Sequence, residues 1–252
     1  MKKIIILLLT VLLITSCTNK EDLKKEIKKE VETTIKDISN ITIKDIEDSY
    51  TYLKENYQEY KDDKKYEKII YHLNYLEKLG KYNKDNELTK LTEYISKYLE
   101  KPSKDNKKAI DKSIEIIDEK KDKIINDLYS NYLIITKITN TIKEQEKIAE
   151  SDINDPNSYN EENINKAIKY ISNHIESPLK NDEVLIKITY YSLYLSKINK
   201  PDNSIVKIGS HTLNYLKTLD IKEKNEVLKY LNSISKNQTT EVNKLYKETK
   251  SN

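Results

Sequence analysis

The chain has 252 residues, 37% apolar and 35% charged, and its 45 basic side chains, all lysine, face 42 acidic ones. Without arginine for bidentate contacts to phosphate or guanine, and with charge so nearly balanced, the composition argues against a nucleic-acid partner. A single cysteine excludes a disulfide framework within the chain, and low net charge leaves order or disorder to be judged from hydrophobic periodicity.

Lys2 and Lys3 open the chain with positive charge. Ile4 to Ile14 follow as an apolar run broken by Thr10 alone, and beyond Ser16 and Cys17 the chain turns abruptly polar. A spanning helix needs about 20 apolar residues, so this run is too short to be one; its order is that of a signal peptide. Ile14-Thr15-Ser16-Cys17 resembles the lipobox of bacterial lipoproteins: an aliphatic residue, two small ones, then the obligatory cysteine. The resemblance covers residues 1–17. It implies diacylglyceryl transfer to the Cys17 thiol, cleavage before Cys17, and a mature protein held to membrane lipid without crossing it. Removing residues 1–16 takes away two lysines and lowers the net charge from +3 to +1. Thr18 after the cysteine implies outer-membrane sorting in lineages that reserve Asp there for retention. The anchor is therefore expected on the cell membrane or outer membrane, facing the periplasm or the exterior. An ordinary secretory signal with an incidental cysteine is the alternative.

Apolar residues then fall at steps of three and four, the spacing that lines one face of a helix. Leu23, Ile27, Val31, Ile35 and Ile38 form a first stripe, on a helix expected either to act as a spacer or to dock. Ile43, Ile46, Tyr50, Leu53, Tyr57 and Tyr60 form a second. Ile69, Leu73, Leu76 and Leu79 form a third, ending at Gly80, which reads as a C-terminal cap. Leu88, Leu91, Ile95 and Tyr98 precede Pro102. The longest stripe runs from Ile110 to Ile142 with a gap at Lys120 and Lys121, so it is one long helix or two. Residues 151–160, containing Pro156, read as a linker. Helix-length stripes follow at 164–175, 184–198, 205–219 and 227–234, with Gly209 inside one of them. No segment alternates with period two, so the fold class is all-α, as an irregular helical bundle or an α-solenoid of helix pairs. The regions are a leader (1–16), a tether with the first helix (17–40), an N-terminal helical region (41–150), the linker (151–160) and a C-terminal helical region (161–252).

Lys65-Tyr66-Glu67-Lys68-Ile69-Ile70, with Leu73 and Leu76 after it and Leu53 and Tyr60 before it, resembles one tetratricopeptide repeat. Lys166-Ala167-Ile168-Lys169-Tyr170-Ile171 is a weaker echo. Ile69 stands where that family has a small residue, its tryptophan and glycine are absent, and no period of 34 residues recurs.

Catalytic and metal signatures are sparse. His72, His174 and His211 lie on separate stripes, outside any His-Glu-x-x-His run, and are read as packing or solvent-facing imidazoles. Gly80 and Gly209 are too far apart for a phosphate-binding loop. Acidic pairs such as Glu26 with Glu30, or Asp62 with Asp63, read as solvated helix faces or turns. No metal or cofactor is expected. The distinctive feature left is the cluster Tyr190, Tyr191 and Tyr194, read either as a patch contacting a protein or glycan partner or as a helix buried on most sides. The leading expectation is a non-enzymatic, membrane-anchored helical binding or scaffold protein. The alternatives are a carboxylate-based envelope hydrolase with its site spread over several helices, and an assembly lipoprotein acting through the first helix.

Overall fold

A computed structural model of the protein describes residues 20–35, 41–81 and 83–250; the leader, Cys17 and Ile38 lie outside them. The described residues form eleven α-helices and one 3₁₀ turn, with no strand among them. The all-α expectation is met. The chain divides into two compact units, Met1–Tyr132 and Leu133–Asn252.

In unit 1, α1 (Lys20–Ile35) buries Ile27, Val31 and Ile35. This narrow stripe packs on α3, so α1 is a docked element of the unit and not a free spacer. α2 (Ile43–Asn56) starts at a capping box in which the Thr42 hydroxyl accepts from the Asp45 N–H while the Asp45 carboxylate accepts from the Thr42 N–H. Ile43, in the first turn, points outward, whereas Ile46, Tyr50, Leu53 and Tyr57 are buried. A 3₁₀ turn (Tyr57–Glu59) leads to α3 (Asp63–Gly80), whose N-cap is Asp62. α4 (Glu87–Glu100) and α5 (Lys104–Glu119) are capped by Asn86 and Ser103 and pack on each other.

Gly80 is not the left-handed cap that its position suggests, because no glycine has positive φ among the described residues. It ends α3 with α-helical neighbours on both sides, and a Cβ there would lie 2.1 Å from the Thr89 hydroxyl. Close approach to α4 is what requires glycine at this position.

The long stripe is two helices. Lys120 (φ −130, ψ 28) leaves the helical region after α5, and α6 (Lys121–Asn154) begins anew. Ile124, Ile125 and Leu128 of α6 belong to the core of unit 1; Ile135, Ile138, Ile142 and Ala149 belong to that of unit 2. Ser151–Asn154 close α6, and residues 155–160 make the turn into α7.

In unit 2, α7 (Glu161–His174), α8 (Asp182–Ser196), α9 (Ser204–Thr218) and α10 (Ile221–Ile234) each start at an Asn or Asp whose side chain accepts an N–H of the first turn. α8 packs on α7 and α9, α9 on α10, and α11 (Gln238–Lys250) returns to pack on α7. That return closes the unit as a bundle. Leu219, the C-cap of α9, takes the left-handed conformation at φ 55.

Candidate binding site

The sequence cluster on α8 meets the turn 155–160 and the first turns of α7. Asp155 shapes that turn: its carboxylate accepts from the Asn157 N–H at 3.0 Å and the Ser158 hydroxyl at 2.9 Å. Those bonds, the Asn157 N–H foremost, hold the Asp155 carboxyl below its ordinary range. The Ser158 carbonyl is thereby fixed, and it accepts from the Tyr194 hydroxyl at 3.0 Å and the Asn163 amide at 2.7 Å.

On the other side, α9 approaches α8 closely because Gly209 has no side chain; a Cβ there would sit 2.6 Å from the Ser192 carbonyl oxygen. The tyrosine face of α8 is thus backed by rigid helix-on-helix contact. Tyr190 donates to Asp152 of α6 at 2.5 Å. Burial first, and then Asp152, pushes the Tyr190 phenol far above its ordinary value; burial does the same for Tyr194. Both hydroxyls stay protonated donors across physiological pH.

Asp152, Ser158, Asn163, Lys166, Tyr190, Tyr191 and Tyr194 enclose a cleft of about 150 Å³. Tyr190 and Tyr191 are half-buried beside it, and Tyr194, 1% exposed, is part of the core beneath. Of the three tyrosines singled out in the sequence, Tyr190 and Tyr191 therefore supply accessible surface and Tyr194 supports them. The Lys166 ammonium and the Tyr191 hydroxyl make no hydrogen bond or ion pair among the described residues. Lys166 also borders a larger open groove of about 520 Å³ between α7 and α10, whose lining is rich in amides and hydroxyls.

The cleft is the exposed edge of an aromatic chain. His174 stacks on Tyr170 at 4.1 Å, Tyr170 leans on Tyr191 at 5.1 Å, and Tyr191 meets Tyr190 at 5.2 Å. Tyr190 then meets Tyr194 at 6.2 Å, Tyr194 meets Tyr159 at 6.5 Å, and Tyr159 meets Tyr246 at 5.6 Å. Sequence reasoning missed Tyr159, Tyr170 and Tyr246, and with them Asp152, Asn163 and Lys166. The spacing of four between Tyr170 and His174 was a visible signal; Tyr159 and Tyr246 are brought together by the fold alone.

The other imidazoles are accounted for by packing. His72 lies between Tyr52 and Tyr71, with Nδ1 3.1 Å from the Ser49 hydroxyl, and burial lowers its pKa to about 4. Ser49 is 3% exposed, so no substrate reaches its hydroxyl, and the pair is not a nucleophile with its base. His211 pairs with Glu223 at 2.7 Å and stacks on Tyr230. Among the described residues no Asp or Glu is buried and no cluster of His, Cys, Asp and Glu suits a metal ion. Glu30 has its carboxyl pushed upward, by desolvation and then by Glu67, but it sits on an exposed face.

No protein-family model, curated protein or solved structure matches the chain. No helix among the described residues is long and apolar enough to cross a membrane.

Proposed function

We propose that this chain is a bacterial lipoprotein whose helical body binds a partner at the cell envelope without catalysis. The observation that carries the reading is the leader: Lys2 and Lys3, eleven residues of near-continuous apolar character, and the chain's one cysteine at the position the lipobox requires. Each buried methylene contributes about 0.8 kcal/mol, so two acyl chains on Cys17 make a stable anchor where one is marginal. α1 starts at Lys20, three residues beyond Cys17. Three residues reach at most about 10 Å, so acylation holds the start of α1 at the headgroup surface. With α1 docked on α3, unit 1 rests close to the membrane. The aromatic cleft of unit 2 supplies the partner-binding surface.

Growth with an alkyne-tagged palmitate followed by fractionation tests the anchor. The wild-type chain is expected to carry the tag and to pellet with membranes, and Cys17→Ser to lose the tag and become soluble. An untagged wild type, or a Cys17→Ser protein that pellets equally, refutes the anchor. Turnover of envelope glycan fragments by the purified chain refutes the non-catalytic reading.

A further inference from the structure

We propose that the tyrosine cleft is a subsite for one neutral pyranose ring of an envelope glycan, with the adjoining groove taking the sugar units that follow. The inference deepens the binding-protein reading and rests on it. A cavity of about 150 Å³ holds a single six-membered ring, whereas drug-sized ligands occupy roughly 300 Å³ or more. A pyranose presents a flat C–H face and a rim of hydroxyls. It therefore needs aromatic surface together with short-range donors and acceptors around the edge.

The cleft supplies both. Tyr190 and Tyr191 meet edge to face at 66° and line it side by side. Around them are the Tyr191 hydroxyl and the Lys166 ammonium, which no group of the described chain occupies, and the Asp152 carboxylate, which accepts from Tyr190. The Asn163 amide donates through nitrogen to Ser158, and its carbonyl oxygen accepts no hydrogen bond among the described residues. One Lys and one Asp cancel in charge, which suits a neutral sugar better than a uronate or an amino sugar.

The groove beyond Lys166 continues the same chemistry. Asn173 and Asn232 line it with side-chain amides that make no hydrogen bond within the described chain, and Ser172 and Ser235 add hydroxyls. A protein partner is ordinarily gripped by a large apolar or aromatic anchor in a dry pocket. Here the groove is open, and its amides and hydroxyls, set among Glu162, Lys166 and Lys169, match a chain of hydroxyls.

The test is saturation-transfer NMR on the full-length protein in detergent micelles, with glucose, galactose, mannose, N-acetylglucosamine, glucuronate and the linear trisaccharides of the neutral sugars. At least one neutral monosaccharide is expected to receive saturation on its ring C–H protons, and its trisaccharide to bind about tenfold more tightly as further hydrogen bonds form. Tyr191→Ala is expected to weaken binding by about tenfold or more, and Lys166→Ala by several-fold, with Tyr191→Phe keeping the ring contact and losing only the several-fold share of its hydroxyl. Lys166 is exposed, so its variant tests the site without unfolding the bundle. Absence of transfer to every neutral sugar, a preference for glucuronate, or affinities unmoved by both Tyr191→Ala and Lys166→Ala overturns the assignment. Palmitate labelling is an independent readout: sugar binding by an unlabelled protein retains the subsite and refutes the anchor, and a labelled protein blind to sugars does the reverse.

Discussion

The hydroxyl of Tyr50 donates to Asp118 at 2.7 Å, joining the core of α2 to the end of α5. Seven residues along, Tyr57 donates to Asp111 at 3.2 Å, so the two bonds run in opposite directions along the two helices with the same heptad spacing. The device recurs: Tyr132 reaches the Ile35 carbonyl, Tyr190 Asp152, Tyr194 the Ser158 carbonyl, and Tyr159 Thr249. In each, the ring fills space between helices and the hydroxyl adds a hydrogen bond that phenylalanine could not make. That is a physical reason for tyrosine at these positions in a chain with 20 tyrosines and no phenylalanine.

Tyr50→Phe therefore tests the device directly. The ring volume is kept and one hydrogen bond to a half-exposed carboxylate is lost, an expected cost of about 1 kcal/mol. Tyr50→Leu, which also removes ring contacts in a side chain only 2% exposed, is expected to cost about 3 kcal/mol. Asp118 is held below its ordinary pKa by Lys54 first and by Tyr50 as well, so its carboxyl should titrate higher in Tyr50→Phe. Urea denaturation and NMR titration measure the two effects. Equal stability of Tyr50→Phe and wild type would make the bond incidental.

The stripes of three and four gave the helices, because each buried face is written locally. The break at Lys120 was not decidable, since either one helix or two preserves the period and the outcome depends on the backbone of a single lysine. Gly80 misleads because a helix-terminal glycine usually caps. Its partner, Thr89, lies on the next helix, and tertiary proximity has no local signature. The tyrosine cluster on α8 was visible, but which ring faces the cleft was not. That is set by the turn at Asp155 and by Gly209 behind the helix.

The two glycines make contrasting predictions. At Gly209 a methyl group would meet backbone, the Ser192 oxygen at 2.6 Å and the Ser196 nitrogen at 2.7 Å, so relief requires moving α8 against α9. Gly209→Ala is expected to cost about 3 kcal/mol in thermal or urea unfolding and to weaken ligand binding at the cleft. At Gly80 the obstruction is the Thr89 side chain. Its hydroxyl is buried without a hydrogen-bond partner, so Thr89→Ala alone should be nearly neutral. The double variant Gly80→Ala/Thr89→Ala should recover most of what Gly80→Ala loses. Failure of that rescue would place the clash elsewhere.

His72 predicts a pH dependence with a definite sign. Its pKa falls from an ordinary 6.5 to about 4 in the fold, chiefly by burial, with Lys68 adding and Asp48 opposing. The unfolded chain binds this proton more tightly, so the contribution is fully present above about pH 6.5 and is lost as pH falls towards 4. Its span is on the order of 3 kcal/mol. His72→Gln, which keeps a polar partner for Ser49, should flatten the stability profile in that window. The carboxylates of Asp118, Asp155 and Glu183, held low by their partners, act in the more acid range, from the ordinary carboxylate values of 3.8 and 4.5 downward, where their loss adds to unfolding. An unchanged slope between pH 6.5 and 4 in His72→Gln would remove His72 as the cause.

α1 offers the sharpest link between packing and placement. Val31 is 1% exposed, Ile27 3% and Ile35 4% in a helix whose other residues are mostly charged, so three side chains supply much of its hold on the unit. Val31→Asp buries an unpaired carboxylate or expels the helix, and expulsion is the cheaper outcome because α1 lies at the end of the folded body. The helix is expected to become sensitive to trypsin at Lys24, Lys25, Lys28 and Lys29 while residues 41–250 stay protected, with a modest fall in unfolding temperature. If the cysteine upstream carries lipid, the detached α1 becomes a tether of about 24 Å when it stays helical, at 1.5 Å per residue, and unit 1 lifts from the headgroup surface. Quenching of tyrosine fluorescence by headgroup-bound spin labels should fall accordingly. Unchanged proteolysis in Val31→Asp would mean that α1 is held by contacts other than this stripe.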